Sequence, residues 1–316
     1  MIAFGPVPSR RLGRSLGINN IPPKICSYSC VYCQLGNTHR MKIDRLPFYR
    51  TKELMKQVEE KVGKTRARGG SIDYLAFVPD GEPTLDARLG AHIRQLRKLG
   101  IKIAVICNSA LLGRADVRED LAEADWVSLK IDAVEETLWR RIDRPHKELL
   151  LDRILDGVAR FAADYGGVLV TETMLVHGLN DAPEALKPTS DFITTIDPTA
   201  AYLSIPTRPP AESWCRSPDE SAISLAYHLF NQQIDRVELL IGYEGNAFAF
   251  TGDVEEDLLS ITSVHPMREE AVIGFLKRAN ADWSTVDHML ARGRLVASRH
   301  DGHRFYIRRL NIGRDC

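Results

Sequence analysis

Three cysteines lie within eight residues near the start of the chain, at Cys26, Cys30 and Cys33. Their C-x3-C-x2-C spacing puts three thiolates on one short loop, where each can ligate a separate iron of a cubane [4Fe–4S] cluster. The fourth iron then has no protein ligand, and an open coordination position is typical of a catalytic metal site rather than a structural one. The spacing therefore predicts an iron–sulfur centre that can react with a bound molecule.

A zinc site is the alternative interpretation of the same cysteines. His39 follows Cys33 by six residues and would complete a Cys3His set. The remaining cysteines, Cys107, Cys215 and Cys316, are isolated, so a second metal centre is not expected. Cys107 ends an apolar strand and is expected to be a buried thiol, whereas Cys215 stays open as a redox or radical participant.

The composition of the chain does not indicate binding to nucleic acid through net charge or insertion into a membrane. Its 316 residues contain 42 basic and 42 acidic side chains, so no global field draws it to nucleic acid or to an anionic membrane. It has no apolar run of about 20 residues and no recognisable signal peptide, so we expect a cytoplasmic protein without a membrane contact. Six cysteines in a cytosolic chain of this length do not indicate a disulfide framework.

The cysteine loop, with the aromatic Tyr32 just before its last cysteine, resembles the signature of the radical S-adenosylmethionine (SAM) superfamily. Residues 5–13, Gly-Pro-Val-Pro-Ser-Arg-Arg-Leu-Gly, and the Gln-Leu-Gly at 34–36 are similar to uncharacterised iron–sulfur oxidoreductases grouped with the wybutosine-synthesising, tRNA-modifying enzymes of that superfamily. The resemblance covers roughly residues 1–250. It implies an enzyme in which SAM binds the open iron through its amino nitrogen and carboxylate.

The resemblance also implies a reaction. The cluster would pass one electron to SAM, and the resulting 5′-deoxyadenosyl radical would abstract hydrogen from a substrate. The electron would come from a donor such as flavodoxin or ferredoxin. A nucleoside in RNA is the first candidate substrate, by analogy with the tRNA-modifying branch, and a peptide or a small metabolite is the alternative. A function of another class also fits the cysteines, namely an iron–sulfur redox sensor that binds nucleic acid.

Short β-branched runs alternate with longer amphipathic stretches from about residue 70 onward. Near-continuous apolar strands separated by helices indicate a parallel sheet covered on both faces. With one strand expected before the cysteine loop, the series gives about six βα units. Residues 1–250 are therefore predicted to form an α/β fold, a partial (β/α)6 TIM-type barrel, with later strands at 72–78, 101–107, 126–131, 168–176 and 201–205.

Residues 251–316 differ in composition and are predicted to form a small winged-helix-like module. Two short helices, at 269–279 and 285–291, precede an Asp301-Gly302 pair flanked by strand-forming runs, which is a strong hairpin signal. Residues 292–314 contain seven arginines and one aspartate, a pattern typical of a wing that contacts nucleic acid phosphates. Docking onto the barrel and recognition of a peptide are the competing interpretations.

In parallel α/β barrels the working residues lie at the C-terminal ends of strands. The strand at 72–78 leads into Gly81-Glu82-Pro83, and in the superfamily a Gly-Glu-Pro at this place binds the SAM amino group. An ordinary turn in which Thr84 caps the next helix is the alternative. Residues at the later strand ends match family positions that contact the SAM carboxylate, ribose and adenine. The resemblance thus predicts SAM contacts from Tyr32, Gly81, Glu82, Pro83, Asn108, Ser128, Lys130, Asp132, Val176 and Leu179.

Lys130 has three interpretations. It could bind SAM together with Ser128, which shares its strand face, or it could form a structural ion pair with Asp80 or Glu172. It could also act catalytically through a Schiff base with a carbonyl substrate, as a buried lysine of lowered pKa can. Glu172 and Met174 alternate along their strand and are expected to face the barrel interior.

Three side chains in loops above the barrel are candidates for substrate contact. Arg208 lies in a proline-stiffened loop after the sixth strand, and Arg144 lies in another basic loop, although either could be an ordinary exposed arginine. His177, at a strand end, could donate a proton near the substrate or be structural. The early arginines Arg10, Arg11 and Arg14 could pair with a phosphate or close the open edge of the barrel.

Overall fold

The computed structural model describes residues 2–38, 41–242, 250, 252–264 and 266–309. Within these ranges, eight strands form one sheet in sequential order, with the first pair antiparallel and every later pair parallel. The strands are β1 (Ala3–Ser9), β2 (Gly13–Ile18), β3 (Tyr74–Phe77), β4 (Lys102–Cys107), β5 (Trp126–Lys130), β6 (Val168–Met174), β7 (Ala200–Ser204) and β8 (Val237–Leu240).

Helices connect the parallel strands and pack on the outer face of the sheet. In α5, for example, Leu151, Ile154, Val158 and Phe161 are buried at helical spacing, so one face of the helix joins the core. No helix in the described part of the chain is both long and apolar enough to cross a membrane. The helices are α1 (Thr51–Ala67), α2 (Leu89–Leu96), α3 (Ala115–Ala122), α4 (Glu136–Ile142), α5 (Leu151–Asp164), α6 (Pro183–Thr195) and α7 (Glu220–Asn231).

The sheet curls into an open half-barrel, which confirms the predicted partial TIM-type barrel. The six expected strands are β2 to β7. The sequence assigned neither β1 nor β8, which extend the sheet at its two edges. β8 has only four residues, too few for its alternation to stand out from the neighbouring helix.

Alternate residues of a strand pack on opposite faces. On β5, Val127 and Leu129 belong to the large core shared with the helices, whereas Trp126 belongs to a smaller cluster inside the barrel. Leu12, in the turn between β1 and β2, is 3% exposed and belongs to the same inner cluster. The turn therefore fills the barrel interior near the N-terminal ends of the strands.

Arg10 bridges the open side of the half-barrel. Its guanidinium donates hydrogen bonds to the carbonyl oxygens of Leu239 (3.4 Å) and Gly242 (2.6 Å), at the end of β8. In the sheet that the described residues form, β1 and β8 are the two edges and do not pair with each other. For Arg10, closure of the open edge is thus the interpretation that the structure supports.

The C-terminal residues form a second small core against the β1 edge. The two predicted helices and the predicted hairpin are present, and the hairpin pairs with a short third strand in the order β10-β11-β9. A buried ion pair between Lys61 of α1 and Asp257 of α8, 3.1 Å apart, ties this part to the barrel. The elements are α8 (Val254–Val264), β9 (Met267–Arg268), α9 (Glu269–Arg278), α10 (Ser284–Ala291), β10 (Leu295–His300) and β11 (His303–Arg308).

Candidate functional site

A cavity of about 350 Å³ lies at the C-terminal ends of the parallel strands. The cysteine loop forms one wall, and the ends of β3 to β8 with their loops form the others. The cavity therefore gathers residues that are more than 200 positions apart in sequence. The residues predicted to bind the cluster, SAM or substrate that line it are Cys26, Cys30, Tyr32, Cys33, Gly81, Glu82, Asn108, Lys130 and Arg208.

The end of β3 holds one side of the cysteine loop. Lys24 N donates to Asp80 O at 2.7 Å, and Glu82 N donates to Ile25 O at 2.9 Å. A Cβ on Gly81 would lie only 2.0 Å from Ile25 O, so the glycine is needed for this contact. The sequence predicted a close backbone approach at Gly81, and the structure shows that the approaching group is the loop that carries the cysteines.

The loop after α4 holds the other side of the cysteine loop. Ser29 N donates to Asp143 O at 3.0 Å, Val31 N donates to Ile142 O at 2.9 Å, and His146 N donates to Ser27 O at 2.9 Å. The backbone of the cysteine loop is therefore fixed on both sides by main-chain hydrogen bonds. This restraint sets the positions of the three thiols before any ligand binds.

Each cysteine sulfur has a different polar neighbour. Asn108 Nδ2 lies 3.6 Å from Cys26 Sγ, Lys24 Nζ lies 3.8 Å from Cys33 Sγ, and Cys30 Sγ lies 3.3 Å from a carboxyl oxygen of Asp143.

Burial raises the pKa of Cys26 to about 12 and that of Cys30 well above its usual value. These two groups are thus protonated thiols in the free protein near neutral pH. Metal ligands must be thiolates, so metal binding has to displace their protons.

The thiols do not converge on a single point. Among the described residues, no group of three His, Cys, Asp or Glu side chains is gathered closely enough to hold one metal ion. A cubane cluster takes each thiolate on a different iron, so it accepts a wider spacing than one zinc ion does. The fourth ligand of the zinc alternative, His39, lies outside the described residues.

Glu82 is buried and its carboxylate joins two strand ends. Oε1 accepts from the backbone nitrogen and hydroxyl of Thr84 at 3.0 and 2.5 Å, and Oε2 accepts from Asn108 N at 2.8 Å. Burial raises the pKa of Glu82 to about 7, although these hydrogen bonds oppose the shift. The carboxylate therefore fixes the ends of β3 and β4 and keeps lone pairs for a further donor in the cavity.

Glu172 lies between two cations on the cavity wall. Lys130 Nζ is 3.3 Å from Oε1, Ser204 Oγ donates to the same oxygen at 3.0 Å, and Arg11 pairs with Oε2. Burial alone would raise the pKa of Glu172, but Lys130 and Arg11 outweigh it and hold that pKa at about 2. Glu172 and Met174 line the cavity, as the alternation along β6 predicted.

The ion-pair interpretation of Lys130 is the one that its neighbours support. Burial opposes its charge, but Asp132 and Glu172 outweigh burial and raise the pKa of Lys130 above its usual value. Its partners are Glu172 and, at 3.6 Å, Asp132 rather than Asp80. A lysine that forms a Schiff base needs a lowered pKa, so the Schiff-base hypothesis gains no support here.

Tyr32 is held on two sides. Its hydroxyl donates to Asp132 and lies 3.2 Å from a carboxyl oxygen of Asp143. Lys130 Nζ lies 4.9 Å from the centroid of the ring, within range of a cation–π contact. The ring is therefore fixed in place next to Cys30 and Cys33.

Several predicted contact residues lie outside the cavity wall. Pro83 is buried and its carbonyl accepts from Asn20, and Ser128 is 1% exposed inside the barrel. Val176 and Leu179 pack behind Tyr32 in a small apolar cluster. Asp132 is also buried, and it contacts three residues of the cavity wall, namely Tyr32, Lys130 and, through the backbone nitrogen, Met174.

The predicted substrate residues are dispersed. Arg208 lines the cavity and donates to Gln34 Oε1 at 2.9 Å. Arg144 pairs with Glu212, and His177 is exposed with Nδ1 3.1 Å from a carboxyl oxygen of Asp181, so neither lines the cavity.

Two side chains at the sulfurs, Lys24 and Asp143, were not predicted as site residues. Lys24 stands two positions before the first cysteine, which is a signal that could have found it. Asp143 offers no such signal, because its place beside Cys30 depends on how the loop after α4 packs. Cys107 is 3% exposed, which confirms a buried thiol, and Cys215 is 1% exposed beside Val176.

Comparisons with known proteins agree with this geometry. The model of the radical SAM superfamily matches residues 20–187. A UPF0026 protein of Methanocaldococcus jannaschii is 46% identical over 311 residues, which cover 98% of this chain and 96% of that protein.

Two solved structures share the fold at low identity. The structure of TYW1 with a lysine-pyruvate adduct bound has a TM-score of 0.54 at 17% identity, covering 70% of this chain and 74% of that one. SuiB of Streptococcus suis bound to S-adenosylmethionine has a TM-score of 0.51 at 12% identity, covering 71% and 49%. The chain belongs to the radical SAM superfamily of enzymes, which use a [4Fe–4S] cluster and S-adenosylmethionine.

Proposed function

We propose that Cys26, Cys30 and Cys33 hold the [4Fe–4S] cluster and that the chain cleaves SAM reductively in this cavity. The observation that carries the proposal is that all three cysteines, on one doubly anchored loop, line a cavity at the C-terminal ends of parallel strands. The cluster and SAM together supply a one-electron cleavage that yields a hydrogen-abstracting radical. The protein's own part is to bind, orient and shield these groups.

The donor set fits the cluster. The ligating groups are thiols only, and the loop that carries them is fixed by main-chain hydrogen bonds to both neighbouring segments. Cysteine ligation also keeps cluster potentials low, as the reduction of SAM requires. The remaining polar groups of the cavity lie at the strand ends, where they would be available to a molecule bound beside the cluster.

The strand-end residues fit SAM. Glu82 keeps acceptor lone pairs for the ammonium group of SAM, and Lys130 offers a cation for its carboxylate. Asn108 borders the same wall, and Tyr32 supplies an aromatic ring at the cavity wall that is suited to adenine. Buried behind them, Asp132 positions Tyr32 and Lys130. The cavity wall is supported from behind by four further buried or partly buried residues, Pro83, Ser128, Val176 and Leu179.

We propose a substrate with anionic groups, and a nucleoside in RNA as its first candidate. A cluster held by thiolates is an anion and SAM is a cation, so the two largely offset each other. Asp80 and Glu82 are only partly charged near neutral pH because burial raises the pKa of each to about 7. The described lining residues include five cations and three carboxylates: Arg10, Arg11, Lys24, Lys130 and Arg208 against Asp80, Glu82 and Glu172.

The C-terminal module lies next to the cavity. His300, at the tip of the hairpin, has Nε2 3.4 Å from the carbonyl oxygen of Pro206, which lines the cavity. Arg308 of β11 is close enough to lower the pKa of Asp80 against the larger effect of burial. Exposed Arg299 and Arg304 continue this basic surface along the hairpin. The order helix, strand, two helices, hairpin supports a winged-helix-like module over residues 251–316 that contacts RNA phosphates.

Reductive cleavage is tested by reconstituting the protein anaerobically with iron and sulfide, reducing it with dithionite, adding SAM and measuring 5′-deoxyadenosine. We expect the wild type to form it and Cys30→Ala to lose at least about 100-fold in rate, since one cluster ligand is gone. Cys215→Ala is the matched control, because Cys215 is a free cysteine outside the cavity wall. A fully loaded wild-type cluster that forms no 5′-deoxyadenosine would refute the proposal.

The substrate is tested with RNA from cells that lack this protein. We expect that RNA to accelerate 5′-deoxyadenosine formation and a nuclease digest to contain a nucleoside of altered mass. Arg299→Gln should weaken RNA binding and reduce its salt dependence by about one phosphate contact, whereas Arg160→Gln, at an exposed position of α5, should change neither. Stimulation by a peptide or metabolite extract instead of RNA would refute the RNA assignment and leave the SAM chemistry intact.

A further inference from the structure

The three cysteine sulfurs have unequal electrostatic surroundings. Among the described residues, Cys26 faces the neutral amide of Asn108, Cys30 faces the carboxyl group of Asp143, and Cys33 faces the ammonium group of Lys24. A cluster bound to these sulfurs would thus meet a full positive charge at one corner.

The local backbone is arranged to hold Lys24 at that corner. Lys24 has a positive φ of 62°, in the left-handed region that costs a non-glycine residue energy. Its N–H is fixed by Asp80 O at 2.7 Å, and its ammonium group donates to Gly36 O at 2.5 Å. The side chain therefore bridges the start of the loop, before Cys26, and its end, after Cys33.

We propose that Lys24 raises the reduction potential of the cluster by placing its ammonium group against the Cys33 sulfur. This inference rests on the proposed cluster ligands and adds a residue that tunes the cluster. Reduction adds one negative charge to the cluster, so a fixed positive charge beside a ligand sulfur stabilises the reduced form. Net charge and hydrogen bonds to the sulfurs are the main protein controls on such potentials.

The placement of Lys24 affects how readily the cluster accepts an electron. The ammonium group of Lys24 stabilises the reduced state of the cluster. The cluster is therefore easier for a donor protein to reduce.

The test is a redox titration of the reconstituted protein without SAM, monitored by the electron paramagnetic resonance signal of the reduced cluster. We expect Lys24→Met to shift the one-electron reduction equilibrium about tenfold towards the oxidised cluster, equal to a potential lower by about 59 mV. Lys24→Arg, which keeps the charge, should retain most of the wild-type potential. Iron and sulfide content are measured for every variant.

Lys42→Met is the matched control. Lys42 belongs to the same segment, and its N–H donates to Cys26 O at 3.0 Å, but its side chain is exposed. Removing its charge should change the equilibrium constant for one-electron reduction of the cluster by no more than about twofold. If Lys24→Met loses the cluster, Lys24→Gln replaces it and should shift the potential in the same direction.

Two results would overturn the inference. One is a neutral Lys24 variant with a full cluster and an unchanged potential, while the wild type still cleaves SAM; in that case only the role of Lys24 is wrong. The other is a wild type in which no cluster forms, which would remove the proposed cluster ligands as well.

Discussion

Replacing Gly81 with alanine tests how the cysteine loop is held against the sheet. The new Cβ would lie 2.0 Å from the carbonyl oxygen of Ile25, closer than any real Cβ approaches a backbone atom. Either the loop or the end of β3 must therefore move. The movement would weaken the two flanking hydrogen bonds, from Lys24 to Asp80 at 2.7 Å and from Glu82 to Ile25 at 2.9 Å.

The expected magnitude has two contributions. Overpacking a rigid site costs about 1–3 kcal/mol, and each lost backbone hydrogen bond costs about 0.5–1.5 kcal/mol. Gly81→Ala should therefore lower the free energy of unfolding of the metal-free protein by about 2–6 kcal/mol. It should also lower the iron bound per chain, because Cys26 directly follows the displaced Ile25.

The assay is urea unfolding of the metal-free protein followed by circular dichroism, with iron counted after anaerobic reconstitution. Gly63→Ala is the matched control, since Gly63 is exposed in α1 and its added Cβ would meet nothing within 4 Å. That change should stabilise the protein by about 0.5–1 kcal/mol. A Gly81→Ala protein with the wild-type unfolding midpoint and full iron content would show that the close approach to Ile25 does not exist in solution.

Two further predictions concern buried charges. Lys61→Met should cost about 3–5 kcal/mol of unfolding free energy, because it removes the cation that pairs with the buried Asp257 carboxylate. Adding Asp257→Leu should recover part of that loss in the same urea assay, and a double variant no more stable than Lys61→Met would contradict this. Burial raises the pKa of Glu82 from 4.5 to about 7, so folding takes up a proton at Glu82 between these values, and this group adds stability to the metal-free protein as pH falls from 8 to 5. Glu82→Gln cannot take up that proton, and its stability should rise less over this range by about 1.4 kcal/mol per pH unit at most. Parallel pH profiles for the two proteins would refute the raised pKa.

The cysteine motif and the strand ends could be predicted because both are local in sequence. The spacing of Cys26, Cys30 and Cys33 fixes three ligands on one loop, whatever surrounds it. Apolar runs locate the parallel strands, and residues just after a run, such as Glu82 and Asn108, must then lie at a common edge. The family comparison confirmed the enzyme class and the cofactors that this pattern predicted.

The remaining details depend on tertiary packing that no local pattern encodes. The carboxylate of Glu82 accepts hydrogen bonds from Thr84 and Asn108, and these contacts arise only because two strand ends lie close together in the fold. Asp143 reaches Cys30 because the loop after α4 pairs with the cysteine loop over a separation of more than 100 residues. Arg11 forms its ion pair with Glu172 across the barrel interior. Contacts of this kind follow from topology rather than from residue type.

The bridge from Arg10 to the end of β8 has a consequence for the order of synthesis. The hydrogen bonds join residues 229 and 232 positions apart, so that wall of the cavity cannot close until nearly 250 residues have been made. The cysteine loop leaves the ribosome about 200 residues earlier, which is roughly 10–40 s at about 5–20 residues per second. Throughout that interval the three thiols belong to a nascent chain in which the cavity wall around them is still incomplete. The enclosure around the thiols is therefore completed late in synthesis, after the last barrel strand has joined the sheet.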